Sequence, residues 1–109
     1  MSKKEIEEYI HQQIIEKEIN NWHDISKDSI SKYLVEPIKS KYINASDGKI
    51  NEYLLVLDEM VSDPKNGYQI IYDERENEFG LATKTSIQTD EIGVIIGLHG
   101  SFIDALNAM

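Results

Sequence analysis

KDSISKYLVEPIKSKYIN, residues 27–44, carries the decision between a mostly helical and a mostly stranded N-terminal half. Asp28 or Ser26 stands where a helix N-cap belongs, and Ile30, Tyr33, Leu34 and Ile38 follow at helical spacing. Pro37 interrupts that pattern. Either the helix ends near Val35 and restarts with Pro37 in its first turn, or one helix kinks at the proline. Both readings put a second helix here.

Upstream, Ser2 and Glu5 form an S-x-x-E capping box ahead of Ile6, Ile10, Ile14, Ile15, Ile19 and Trp22. That stripe predicts a first helix from about Lys3 to Trp22, followed by turn residues in HDISKDSIS. Downstream, NASDGK (44–49) is a loop with an Asp-Gly turn signal. The texture then becomes β-prone: YLLVLDEMV (53–61), YQIIYD (68–73), FGLATK (79–84) and IGVIIGL (92–98) read as four strands. SDPKNG, ERENE and TSIQTDE separate them. Ser101 caps a short terminal helix with Phe102, Ile103, Leu106 and Met109 on its apolar side.

Connections this short join antiparallel neighbours, because a parallel pair needs a crossover of about a dozen residues. The expected fold is therefore α+β: two N-terminal helices, a four-stranded antiparallel meander and a short C-terminal helix packed on one sheet face. A chain of 109 residues makes this one domain, with a helical part at 1–45 and the sheet plus last helix at 50–109.

Composition narrows the chemistry. With 40% hydrophobic and 28% charged residues the chain reads as globular. It has no cysteine, which excludes disulfides, thiolate metal sites and a cysteine nucleophile. MSKKEIEEYIHQQ lacks the apolar core of a secretory signal, and no run approaches the roughly 18 apolar residues of a membrane helix. A cytoplasmic location is the expectation.

The net charge of −9 is uneven. Residues 1–50 hold eight lysines against nine acids, whereas residues 51–109 hold two lysines and one arginine against eleven acids. An acidic half of this kind repels nucleic acid and anionic membranes and attracts basic partners, or else serves solubility alone.

No motif names a reaction. Asp73, Glu74, Glu76 and Glu78 lack the alternation and central glycine of a calcium loop, and a wet hairpin tip does not raise a carboxyl pKa for acid/base work. His99, Ser101 and Asp104 lie close in sequence, but two of them occupy capping positions. Gly93, Gly97 and Gly100 match no phosphate-binding pattern; Gly93 and Gly97 share a strand face, where a helix or a partner backbone can approach. No cofactor or metal is expected. What remains is a recognition surface formed by Asp58, Glu59, Asp63, Tyr72, Asp73, Glu74, Glu76 and Glu78, with Tyr53, Tyr68 or Tyr72 as aromatic anchors. In a meander, the 62–67 loop and the 74–78 turn lie at opposite ends of one strand, so these acids need not form one patch, but Asp58 and Glu59 reach the 74–78 tip if strands one and two pair out of register.

EYLLVLDEMVSDPKNGYQIIYDERENEFGLATK and GVIIGLHGSFIDALNAM, within residues 52–109, resemble small bacterial immunity proteins of contact-dependent growth inhibition and related polymorphic toxin systems. The elements are V-L-D-E, the N-G-Y turn, Y-D-E-x-x-N-E-F-G-L-A and G-S-F-x-[DE]-A-L-x-x-M. The resemblance implies a cytoplasmic protein that binds and neutralises a cognate toxin domain; the expectation is a non-enzymatic chain, monomer or weak homodimer. A nuclease toxin would be basic, since it must hold a polyanion. The competing expectation is a protein-binding or oligomeric scaffold module unrelated to toxins.

Overall fold

The structure, a computed structural model, describes all residues except 1, 22, 24, 45, 61–66 and 85–91. Helix α1 spans Lys3–Glu16, a 3-10 turn Ile30–Lys32, and strands follow as β1 Leu34–Asn44, β2 Ile50–Asp58, β3 Gln69–Asp73, β4 Glu78–Lys84 and β5 Gly93–Gly100. Helix α2, Phe102–Asn107, closes the chain. The class is α+β, but the sheet is a closed five-stranded barrel with one long N-terminal helix. The expected second helix and four-stranded open meander are both corrected.

The correction rests on residues 34–44. Pro37 disfavours helical backbone at Glu36, so the segment enters extended geometry. The register between β1 and β2 shifts between Leu34 and Ile38, which brackets the proline and leaves its missing N–H outside the regular ladder. From Lys39 the burial alternates: Lys39 and Lys41 are exposed, Ser40 is half-buried and Tyr42 is fully buried. That is the period of a strand. Ser26 and Ser29 bond within their own turn, Ser26 N donating to Ser29 Oγ over 2.9 Å, and cap no α-helix.

Helix α1 begins as its sequence dictates, with Ser2 and Glu5 bonded reciprocally at 3.1 and 3.2 Å. Those bonds hold the Glu5 carboxyl below its usual pKa, the backbone N–H of Ser2 contributing most. The helix stops at Glu16 rather than near residue 22. Asn20 N donates to Asn107 Oδ1 (2.8 Å), Asn107 Nδ2 donates to Glu18 O (3.1 Å), and Asn21 Oδ1 accepts from His23 N and Ile25 N. Side-chain amides thus take over the backbone groups a helix would use.

Strands reverse at each connection, so β1 and β5 run in the same direction and close the barrel in parallel, Tyr42 beside Gly93 and Asn44 beside Ile95. Irregularities at 34/38, 55/57, 79/80 and 81/82 supply the curvature. The shift between Leu81 and Ala82 also moves Gly93 and Gly97 out of step. The Gly93 approach is filled by a side chain, the Tyr42 ring, rather than a helix or partner.

Two cores result. Ile6, Ile10, Ile14, Leu54, Val56, Ile70, Tyr72, Phe79, Leu81, Phe102 and Leu106 pack helices onto the outer sheet face. Tyr42, Tyr53, Ile71, Ala82 and Ile95 come from strands alone. The Tyr42 hydroxyl donates to Gln69 Oε1 over 2.8 Å, from β1 to β3 past the intervening strand, which identifies this second cluster as the barrel interior.

Burial, reinforced by the charge of Asp58, pushes the Tyr42 hydroxyl far above its ordinary value of 10.0. The folded state therefore holds a proton that the unfolded chain releases above about pH 10, so this contribution is complete below that pH and lost as pH rises. Stability is expected to fall steeply in that alkaline range, and less steeply in Tyr42→Phe. Urea titrations at pH 8 to 11 check this.

Candidate protein-recognition surface

The acidic hairpin is built from its two strands. β3 and β4 pair from Gln69–Ala82 to Asp73–Glu78, leaving residues 74–77 as the connection. Asp73 Oδ1 accepts from Arg75 N (3.0 Å) and Glu76 N (3.4 Å). Asn77 takes the left-handed conformation at φ +53°, which Asn tolerates better than most residues. Its Oδ1 accepts from the Tyr72 hydroxyl at 2.6 Å. Tyr72 and Asp73 are themselves buried, so the turn is fixed from beneath while Glu74, Arg75 and Glu76 stand in solvent and Glu78 is half-buried. Burial first, then nearby Tyr9, Glu74 and Asp73, raise the Tyr72 hydroxyl pKa.

Beside the hairpin lies a cleft of about 300 Å³ lined by Lys39, Glu52, Tyr53, Asp73, Glu74 and Arg75. The Arg75 guanidinium carbon sits 5.9 Å from the centre of the Tyr53 ring, and its Nε is 3.7 Å from Asp73 Oδ1. Tyr53 belongs to the barrel interior, so the cleft is the mouth of the barrel at its hairpin end.

Of the residues expected to share a surface, the register brings together Tyr72, Asp73, Glu74, Glu76 and Glu78. Asp58 pairs with Gln69, at the other end of β3 from Asp73. Four residues of strand, about 13 Å, separate the two positions. Asp63 lies outside the described residues.

Glu59 is a buried brace. Both carboxylate oxygens lie 2.8 Å from His23 Nδ1, and Oε1 accepts from Tyr68 N at 3.0 Å. The pair pins the segment after α1 to the barrel. Glu59→Ala is expected to cost about 1–3 kcal/mol, because it leaves the Tyr68 N–H without its acceptor in a half-buried site. A shifted urea midpoint at unchanged slope checks it. Asp58 is likewise engaged locally, its Oδ1 accepting from Met60 N.

Tyr53 and Tyr72 are 4% and 3% exposed, so neither offers a ring to a partner in this conformation. Of the cleft residues, Lys39, Glu52 and Arg75 are absent from the sequence-based surface, and Tyr53 enters it only as an anchor. The helical reading of its segment hides Lys39. The signal that could have placed Tyr53 is Arg75, the single cation inside the acidic run.

Elsewhere, Ser101 Oγ accepts from Asp104 N (3.0 Å) and Ser101 N donates to His99 O (3.1 Å), so the contacts within this trio are a helix cap and a backbone turn. A groove of about 140 Å³ between α1 and β1 is lined by Glu7, Ile10, His11, Leu34, Val35, Glu36 and Val56. Among the described residues no three His, Asp or Glu side chains are placed to hold a metal, and no helix is long and apolar enough to cross a membrane. No family model, curated protein or solved structure matches the chain.

Proposed function

We propose that this chain is a cytoplasmic, non-enzymatic immunity protein that binds and neutralises a basic toxin domain through the hairpin end of its barrel. One observation carries the reading: Glu74 and Glu76 are held in solvent on a turn locked by Asp73, Asn77 and Tyr72. Charges on a preorganised turn lose little freedom when a partner arrives. The surrounding half of the chain, at −8, adds a long-range field that steers a basic domain toward it. The sequence elements that resemble immunity proteins fall on this same half, in β2, the β3–β4 hairpin, β5 and α2.

The test is association with the toxin domain encoded beside this chain's own gene. A one-to-one complex is expected whose association rate falls with added salt. Glu74→Lys/Glu76→Lys should slow association about tenfold while leaving the melting temperature nearly unchanged, as both side chains are exposed. An association rate indifferent to salt and to the double reversal would refute recognition by this surface.

A further inference from the structure

The cleft beside the hairpin has a floor, a buried charge and an occupant that fits it loosely. Tyr53 supplies an aromatic ring at the barrel mouth, and Asp73 supplies a carboxylate that is 5% exposed. Both hydrogen bonds and the ion pair of Asp73 fall on Oδ1, to Arg75 N, Glu76 N and Arg75 Nε. Oδ2 takes none of these bonds; among the described residues Gln13 Nε2 is the one buried side-chain polar atom without a partner, so Oδ2 keeps an edge open to solvent and to an incoming donor. Arg75 lies over the ring, but its Nε stands 3.7 Å from Asp73, beyond hydrogen-bond distance, and its side chain is 62% exposed. The space around it is about 300 Å³.

A planar guanidinium satisfies such a set better than an ammonium does. It stacks on a tyrosine face and offers paired donors to a carboxylate. Arg75 supplies the stacking and leaves the paired bonds unmade. Three carboxylates, Glu52, Asp73 and Glu74, line the cleft against Lys39 and Arg75, so removing Arg75 leaves a clear excess of negative charge.

We infer that the cleft receives an arginine side chain of the basic partner, and that Arg75 is the chain's own placeholder, displaced from Tyr53 and Asp73 on binding. This rests on the recognition of a basic protein, and adds the chemical group that is read. It also gives the lone cation of the acidic hairpin a role: it covers a buried carboxylate until the partner arrives.

N-acetylargininamide, titrated into the full chain at millimolar concentration and followed by the ring resonances of Tyr53, tests the cleft without any protein partner. Arg75→Ala is expected to bind the probe roughly threefold or more tightly than the parent chain. Asp73→Asn in that background keeps the Oδ1 bonds of the turn and should abolish the gain. Glu74→Gln, at an exposed position and harmless to folding, should reduce it if Asp73→Asn melts the hairpin. N-acetyllysinamide should gain less than the arginine probe.

Equal affinity of Arg75→Ala and the parent chain would overturn the proposal, as would a gain untouched by both carboxylate variants or shared equally by the lysine probe. Saturation of the parent chain at micromolar probe would mark a small-molecule site and overturn the docking role. Failure of the salt and charge-reversal test leaves this titration readable, and the converse also holds.

Discussion

Phe79→Ala is expected to lower stability by about 3–5 kcal/mol. The ring is fully buried and touches three elements at once. Tyr72 of β3 lies 4.7 Å away between ring centres, Tyr9 of α1 5.8 Å, and Phe102 of α2 5.8 Å at nearly a right angle. Removing it therefore opens a cavity at the junction where both helices meet the sheet. The surrounding rings are tied to separate backbones, so the cavity cannot collapse cheaply. Phe79→Leu, which keeps most of the volume, should cost less than half as much. Urea unfolding monitored by tyrosine fluorescence gives both numbers, and a loss below about 1 kcal/mol for Phe79→Ala would mean that these rings do not dock the helices.

Gly93→Ala is expected to cost about 3 kcal/mol, the upper end of overpacking penalties. A Cβ there would stand 2.5 and 2.6 Å from Tyr42 Cε2 and Cδ2 and 3.0 Å from Thr83 O. The tyrosine cannot swing aside without giving up its bond to Gln69 and its edge contact with Tyr53. At Gly97 the nearest atom to an added Cβ is His99 Nε2, 3.4 Å away on a side chain that can move. Gly97→Ala should accordingly be far milder. Combining Gly93→Ala with Tyr42→Leu should recover about 1 kcal/mol or more relative to the sum of the two single changes. Strict additivity would show that β1 and β5 do not approach closely at the seam, and the barrel would then be open.

That seam is where the sequence misled. Ile30, Tyr33, Leu34 and Ile38 satisfy a helical spacing, but Leu34 and Ile38 lie on a strand interrupted by a register shift, which disguises the period of two. Pro37 was the available warning. Its effect on Glu36 favours extended backbone as much as a helix boundary. Once residues 34–44 form a strand, the meander has five members and can close, whereas four strands and an extra helix cannot. The extent of α1 was misjudged for a different reason: the asparagine bonds that end it join residues 18–20 to Asn107, nearly ninety positions away.

The local features were easier to read. Ser2–Glu5, Ser101–Asp104 and the 74–77 turn depend on residues within a few positions of one another. The separation of Asp58 from the hairpin was legible as one of two registers, and the pairing of Asp58 with Gln69 chooses between them. Which acids are structural was not legible. Glu59 and Asp73 look identical to Glu74 and Glu76 in composition, and only burial tells them apart.

The most direct measurement is the set of backbone amide shifts perturbed when the basic toxin domain proposed as this chain's partner is added to it. The largest changes are expected at residues 73–78 and at Glu52 and Tyr53, around the hairpin and the barrel mouth. Changes centred on Asp58, Glu59 and Gln69 at the opposite end, or on α1, would contradict recognition through the hairpin, and an unperturbed spectrum at saturating toxin would contradict the immunity function itself.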